Sequence, residues 1–93
     1  MNRTDILSTA KEYITQDRAA THGEAEDSFN AIAGAWQWYL EARPTGPLTA
    51  YDTAMMMVLF KTARAARNPA HMDNAIDGAG YFALAGEIAG GDE

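Results

Sequence analysis

Apolar residues recur at helical spacing along almost the whole chain. The pattern predicts helices at about residues 4–20, 24–41, 50–67 and 70–89, and no useful length shows the alternation typical of strands. The third segment is apolar nearly all round, as in a helix that neighbours contact on several sides. Four helices of roughly 16–20 residues, each about 25–30 Å long, predict one compact all-α four-helix domain.

Start and stop signals divide these helices. The Pro-Thr-Gly-Pro run after Arg43 ends the second helix, because proline lacks a backbone donor and glycine favours turns. Thr49, with Asp52 three residues later, predicts a capping box at the start of the third helix. Trp38 points away from the main apolar face of the second helix. We therefore expect a second buried surface and a homo-oligomer, either a dimer or a larger assembly.

Two aspartates of the last helix carry the strongest chemical signal. Asp73 and Asp77 are four residues apart, so they lie on one helical face, and the preceding helix carries Lys61 and Arg64 in a narrow polar strip. The aspartates share their face, which is predicted to be buried, with Gly80, Tyr81, Leu84 and Ile88. Charges in a small core must be paired with opposite charges, be hydrated, or serve in binding or catalysis. The pattern predicts a polar site between the last two helices.

These charges have structural and functional interpretations. Asp73 is placed to cap the last helix, and Asp77 to pair with Lys61 or Arg64. Alternatively, the two carboxylates hold a hard cation such as Mg²⁺, and the two cations contact phosphate. Glu26 either marks the solvent boundary of the second helix or supplies a third carboxylate.

The junction before the last helix, residues 68–74, is a further candidate. It contains a proline that suits the first turn of a helix, and helix N-termini bind anions through free N–H groups. His71 lies in this junction, close in sequence to Asp73. Plain capping is the alternative interpretation.

The composition excludes several classes of partner. The 93 residues carry a formal net charge of −6 and only seven scattered Lys and Arg, which disfavours duplex nucleic acid and anionic membranes. The absence of cysteine excludes disulfides and thiolate chemistry. The start of the chain has no apolar signal region, and no apolar run approaches the ~20 residues of a membrane span. We expect a cytoplasmic protein.

Three motifs together resemble a known family. They are Arg18-x-x-Thr21-His22-Gly23-x-x-Glu26, Lys61-x-x-Arg64 and Asn68-Pro69-x-His71-x-Asp73-Asn74-x-x-Asp77-x-x-Gly80-Tyr81. Over about residues 15–89 the chain looks like an uncharacterised family of small all-helical proteins encoded by bacteriophages and prophages. The resemblance implies a viral or prophage origin and action in the host cytoplasm.

A looser resemblance is to the all-α nucleotide pyrophosphohydrolases of the MazG and dimeric dUTPase type. It implies a magnesium-dependent oligomer acting on a nucleoside triphosphate, with Glu26 in place of the first acidic helix and Asp73 or Asp77 in place of the second. The Glu-Glu-x-x-Glu motif of those enzymes is absent, and their Glu-x-x-Asp motif reads Asn74-x-x-Asp77.

Three functional hypotheses follow. In the first, the protein hydrolyses a nucleotide with Mg²⁺ as cofactor: Glu26, Asp73 and Asp77 bind the metal, and Glu26 and Asp77 are also catalytic. Its substrate-binding residues are Lys61, Arg64, His71, Asn74 and Tyr81. The second hypothesis is a non-catalytic module that binds a nucleotide or a host protein. The third is a small structural protein in which these charges close a buried network.

Overall fold

The computed structural model describes residues 1–17 and 22–91, and for 16, 17 and 22–25 it describes the backbone alone. It contains four α-helices. They are α1 (Arg3–Glu12), which a π-helical turn continues over Tyr13–Asp17, α2 (His22–Ala42), α3 (Ala50–Arg67) and α4 (Met72–Gly90). The described part of the chain has no strand, so the all-α prediction is confirmed. Residues 18–20 of the predicted first helix, together with Arg18 and Thr21 of the first motif, lie outside the described residues.

Local capping explains where these helices begin. The Asn2 side chain caps α1 in a capping box with Asp5. Thr49 and Asp52 form the capping box predicted for α3. The N-cap of α4 is His71, whose side chain makes no capping hydrogen bond, so the predicted capping of this helix by Asp73 is wrong.

The long helices form a layer with α3 in the middle. Helix α3 packs against α2 on one flank and α4 on the other, which confirms its predicted central position. In the part of the chain that the structure describes, α2 and α4 do not contact each other, and α1 contacts only its own π-helical turn. The indole N–H of Trp36 donates to the Met56 carbonyl at 2.7 Å and joins α2 to α3.

The face that α4 turns towards α3 differs from the predicted one. Small and polar residues line the contact: Asn74 and Ala85 are buried, and Gly78 and Tyr81 are half-buried. Of the predicted stripe, Tyr81 faces the contact, whereas Asp73, Asp77, Gly80, Leu84 and Ile88 are exposed. Small residues prevail because they let the helices approach closely, with the Cβ position of Gly78 only 3.6 Å from the Cβ of Lys61.

The chain is more open than the compact bundle that the sequence predicts. Its radius of gyration is 16.1 Å, whereas a compact chain of this length has about 12 Å. Among the described residues, the buried apolar side chains are Ile32, Tyr39 and Ala85. No helix in that part of the chain is long and apolar enough to cross a membrane.

Candidate functional site

A charged pair joins α3 to α4 along their line of contact. Lys61 Nζ lies 2.9 Å from Asp77 Oδ2, as one of the two interpretations of Asp77 predicted. The two side chains differ in burial, since 15% of the Lys61 side chain and 48% of the Asp77 side chain is exposed. Asp77 therefore lies at the rim of the contact rather than within a core.

A second cation lies beside this pair. The Phe60 ring has Lys61 Nζ and the Arg64 guanidinium carbon each 5.5 Å from its centroid, within the range of a cation–π contact. We call Phe60, Lys61, Arg64 and Asp77 the seam cluster. Within the described residues, Asp77 is the one carboxylate within 4.0 Å of either cation. Arg64 is exposed, so its charge is open to a ligand.

A shallow depression continues from Asp77 along α4. Its volume is about 330 Å³ and it is lined by Ile76, Asp77, Gly80, Tyr81 and Leu84, at the small end of the range for ligand sites. The structure thus brings Tyr81 together with Asp77, next to Lys61. Most of the lining is apolar, which suits the non-phosphate part of a ligand.

The predicted metal ligands are dispersed in the single chain. Glu26 is exposed on α2, a helix that does not contact α4 in the described structure. The Asp73 side chain is 75% exposed and lies 3.7 Å from the imidazole Nε2 of His71. Among the described His, Asp and Glu side chains, no three are gathered to hold a metal ion. Glu26, Asp73 and Asp77 do not form one site within this chain.

The remaining predicted ligand residues fall in different places. His71 is exposed at the start of α4, where its contact is Asp73 rather than the seam cluster. Asn74 is 4% exposed and lies in the contact with α3. Of the predicted substrate-binding residues, Lys61 and Arg64 lie in the seam cluster, and Tyr81 lines the depression beside Asp77.

A second polar cluster, which the sequence pattern does not reveal as a whole, lies at the corner between α2 and α3. Asp52 Oδ1 accepts a hydrogen bond from the Tyr39 hydroxyl at 2.7 Å. Its other oxygen accepts from the Thr49 backbone N–H and hydroxyl at 2.9 Å and pairs with Arg43 Nη2 at 3.0 Å. We call Tyr39, Arg43, Thr49 and Asp52 the corner network.

Arg43 ties this network to the loop that follows α2. Its two terminal nitrogens donate to the carbonyls of Gly46 and Pro47, each at 3.1 Å. Gly46 has a φ of 130°, a conformation that side-chain-bearing residues rarely adopt, so glycine is required at this turn. The arginine thus holds the loop in the conformation that brings Thr49 and Asp52 beneath Tyr39.

The electrostatics of the corner network indicate a structural role. Burial, together with the hydrogen bond to Asp52, raises the pKa of Tyr39 to about 12. Hydrogen bonds from Tyr39, then Thr49 and Arg43, hold the pKa of Asp52 well below its usual range. Because both carboxylate oxygens are occupied, Asp52 has no position left for a metal ion or for proton transfer.

The sequence contains only part of the information needed to predict the corner network. Thr49 and Asp52 have the spacing of a capping box, and Arg43 comes four residues after Tyr39, just beyond the end of α2. Helical periodicity describes each helix separately, so it does not reveal that the loop brings these two pairs together. The missing information was the conformation of the loop.

An apolar recess of about 330 Å³ lies next to the corner network. Exposed Trp38 and half-buried Tyr51 and Met55 contribute to its wall. Trp38 is 62% exposed, as expected for a residue outside the main apolar face of α2.

Comparison with known proteins identifies the family. Residues 5–89 match DUF6378, described as a domain of unknown function. The chain is also similar to the Gene 55 protein of Mycobacterium phage L5, with 40% identity over 76 residues, which is 82% of this chain and 47% of the phage protein. The chain thus spans about half the length of that relative. No solved structure matches.

These matches confirm the predicted resemblance to an uncharacterised phage family, and they give no support to the resemblance to nucleotide pyrophosphohydrolases. The family match covers nearly the whole chain and includes both the seam cluster and the corner network. The chain belongs to the DUF6378 family.

Proposed function

We propose that this protein is a phage-encoded, non-catalytic module that binds the phosphates of a nucleotide at the seam cluster, in the host cytoplasm. The observation that carries the proposal is the placement of Lys61 and Arg64 against one Phe60 ring, with Asp77 as the carboxylate partner of Lys61 alone. Two cations and one carboxylate leave a local positive charge on a protein whose net charge is −6. An anion binds such a place and is repelled by the rest of the surface.

The chemistry of each residue gives it a role in binding. Arg64 offers a planar fork that suits two phosphate oxygens, and Lys61 adds a compact charge beside it. A phosphate displaces Asp77 from Lys61 or bridges the pair, since the half-exposed carboxylate gains hydration when it is released. The depression beside Tyr81 then receives the sugar or base.

Nucleotide titration tests this role. Wild-type protein, titrated calorimetrically with ATP and deoxynucleoside triphosphates, should bind without Mg²⁺. Arg64→Gln should weaken binding by about 10-fold or more, the value of one charge-assisted hydrogen bond. Arg67→Gln is the matched control, because it removes the same charge from the same helix, and it should stay within about twofold of wild type. Absence of binding by the wild type contradicts the proposal and favours the hypotheses of a host-protein-binding or structural module.

Asp77→Asn separates binding from catalysis. If phosphate competes with Asp77 for Lys61, the variant should bind nucleotide more tightly without Mg²⁺, because the competing charge is gone. If Asp77 instead holds Mg²⁺, the variant should bind more weakly, and only in the presence of the metal.

The second candidate function is the magnesium-dependent hydrolysis of a nucleoside triphosphate. It is favoured by the exposure of both Asp73 and Asp77 on α4, which leaves their oxygens accessible to a hydrated cation. Glu26 would have to reach the same ion from another helix, and a metal-activated water would attack phosphorus. Release of pyrophosphate that requires Mg²⁺, and that Glu26→Gln and Asp77→Asn both abolish, would replace the non-catalytic proposal.

Self-association, which the sequence also predicts, is a separate part of the proposal. The exposed apolar faces of the helices support it.

A further inference from the structure

The charged groups and the depression at the contact between α3 and α4 follow one another in a definite order. A short connection, residues 68–71, joins the two helices, which therefore run antiparallel. Lys61 lies opposite Asp77 across the contact. Arg64 lies one turn nearer the connection, about 4.5 Å along α3, whereas the depression extends from Asp77 the other way, towards the end of α4. The order is thus Arg64, then the Lys61–Asp77 pair, then the depression.

The two cations of the seam cluster differ in what they already contact. Lys61 is held by Asp77, and 15% of its side chain is exposed. Arg64 is exposed, and among the described residues no carboxylate lies within 4.0 Å of its charge. A phosphate therefore reaches Arg64 without displacing a partner, whereas a phosphate that binds Lys61 must first separate it from Asp77.

We propose a selectivity that rests on the proposed function: the site prefers a nucleoside diphosphate to a monophosphate, and Asp77 controls this preference by competing with one of the two phosphates. The terminal phosphate binds Arg64, the phosphate next to the sugar replaces Asp77 at Lys61, and the nucleoside lies in the depression. A diphosphate is the shortest phosphate chain that contacts all three places. A monophosphate contacts Arg64 alone, or gives up that contact to reach the depression.

A third phosphate adds little to binding, because it meets no further cation at the contact. Helix α4 has no Lys or Arg. Arg67 is the next cation along α3, but it is six residues from Lys61 and therefore rotated by about 120° from it around the helix axis. A triphosphate should bind about as tightly as a diphosphate.

Calorimetric titration with AMP, ADP and ATP, in the absence of Mg²⁺, tests the selectivity. The wild type should bind ADP about 10-fold more tightly than AMP, the value of one further charge-assisted hydrogen bond, and ATP within about twofold of ADP. Lys61→Gln removes the cation that binds the second phosphate. It should weaken ADP binding by about 10-fold and leave AMP binding within about twofold of the wild type.

Asp77→Asn should have the opposite effect on the same nucleotide. It frees Lys61 and should tighten ADP binding by about 3–5-fold, the strength of a partly exposed ion pair, but AMP binding by less than about twofold. Glu87→Gln is the matched control, because it removes the same charge from α4 about 15 Å further along the helix. At that distance salt screens the charge, so the affinities for AMP and ADP should stay at the wild-type values. Circular dichroism should report unchanged helix content in every variant.

The outcomes separate the selectivity from nucleotide binding itself. Equal affinities of the wild type for AMP and ADP overturn the selectivity but leave the nucleotide site in place. So does an Asp77→Asn variant that binds AMP and ADP more tightly by the same factor, or a wild type that binds ATP at least about 10-fold more tightly than ADP. A wild type that binds none of the three nucleotides contradicts the proposed function and the selectivity together.

Discussion

In the part of the chain that the structure describes, two ion pairs connect successive long helices at their contacts, and they differ in burial and in the other bonds that each carboxylate makes. At the corner between α2 and α3, Arg43 and Asp52 are 3.0 Å apart, with 13% and 8% of their side chains exposed. At the seam between α3 and α4, Lys61 and Asp77 are 2.9 Å apart, but about half of Asp77 faces solvent. The distances are nearly equal, so distance alone does not distinguish the two pairs.

The difference lies in what else each carboxylate binds. Asp52 accepts hydrogen bonds from Tyr39 and Thr49 as well as Arg43, and it has no free position for a ligand. Among the described residues, Asp77 has Lys61 as its partner, and about half of its side chain is exposed to solvent. A saturated, buried carboxylate stabilises the fold, whereas a hydrated one can exchange its partner for a ligand at little cost.

The largest effect is expected from Asp52→Ala. The substitution leaves the Arg43 charge and the Tyr39 hydroxyl buried without their partner and should lower the melting temperature by more than about 10 °C. Asp5→Ala is the matched control, because Asp5 occupies the same capping-box position in α1 but is exposed. The structure that the Asp5→Ala variant loses should be confined to α1. Equal effects of the two variants would refute a special role for the corner network.

The pH dependence of stability should be two-sided. Because the pKa of Asp52 is lowered, its contribution is present above the unfolded value of about 3.9 and is lost as the pH falls through the folded value. The pKa of Tyr39 is raised to about 12, so its contribution is present below the unfolded value of about 10 and is lost as the pH rises towards the folded one. Melting temperatures measured across pH should therefore form a plateau between these limits.

Tyr39→Phe sharpens this expectation. It removes the titrating hydroxyl and one donor to Asp52, so it should lower the plateau by roughly 5–10 °C. It should also remove the part of the alkaline decline that belongs to Tyr39, and it should make the acid decline smaller, because the Tyr39 hydroxyl is the first cause of the lowered pKa of Asp52. An alkaline decline identical to that of the wild type would show that the hydroxyl does not couple to folding.

The smallest effect on stability is expected at the seam. Lys61→Gln and Asp77→Asn should each change the free energy of unfolding by about 0–1 kcal/mol, as for other partly exposed pairs. Urea denaturation of the two single variants and the double variant gives the coupling energy directly. A coupling above about 2 kcal/mol would place the seam pair in the same class as the corner network.

The sequence predicts individual helices better than their packing. The capping box of α3 and the central position of that helix follow from local pattern, and both are confirmed. The buried face of α4 does not, because small residues such as Gly78 and Ala85 outweigh larger ones where two helices approach closely. Which face packs depends on the neighbouring helix, and periodicity within one helix contains no information about it.

At the candidate site, too, some features follow from the sequence and others depend on how the helices pack. The pairing of Asp77 with Lys61 was one of the predicted alternatives, because both residues lie on polar strips of adjacent helices. The joint metal site of Glu26, Asp73 and Asp77 required knowledge of which helices touch, and α2 does not reach α4 in the described structure. The corner network does not follow from the sequence pattern, because it depends on the conformation of the loop after Arg43.

Melting curves of the wild type, Asp52→Asn and Asp77→Asn, each with and without ATP in the absence of Mg²⁺, test the contrast between the two pairs most directly. Asp52→Asn should melt far below the wild type but keep the upward shift that ATP produces in the folded protein. Asp77→Asn should melt within about 4 °C of the wild type and show a larger shift with ATP. The proposed difference between the two ion pairs is contradicted if Asp77→Asn loses as much stability as Asp52→Asn. It is also contradicted if the ATP-induced shift in the melting temperature of Asp77→Asn equals that of the wild type.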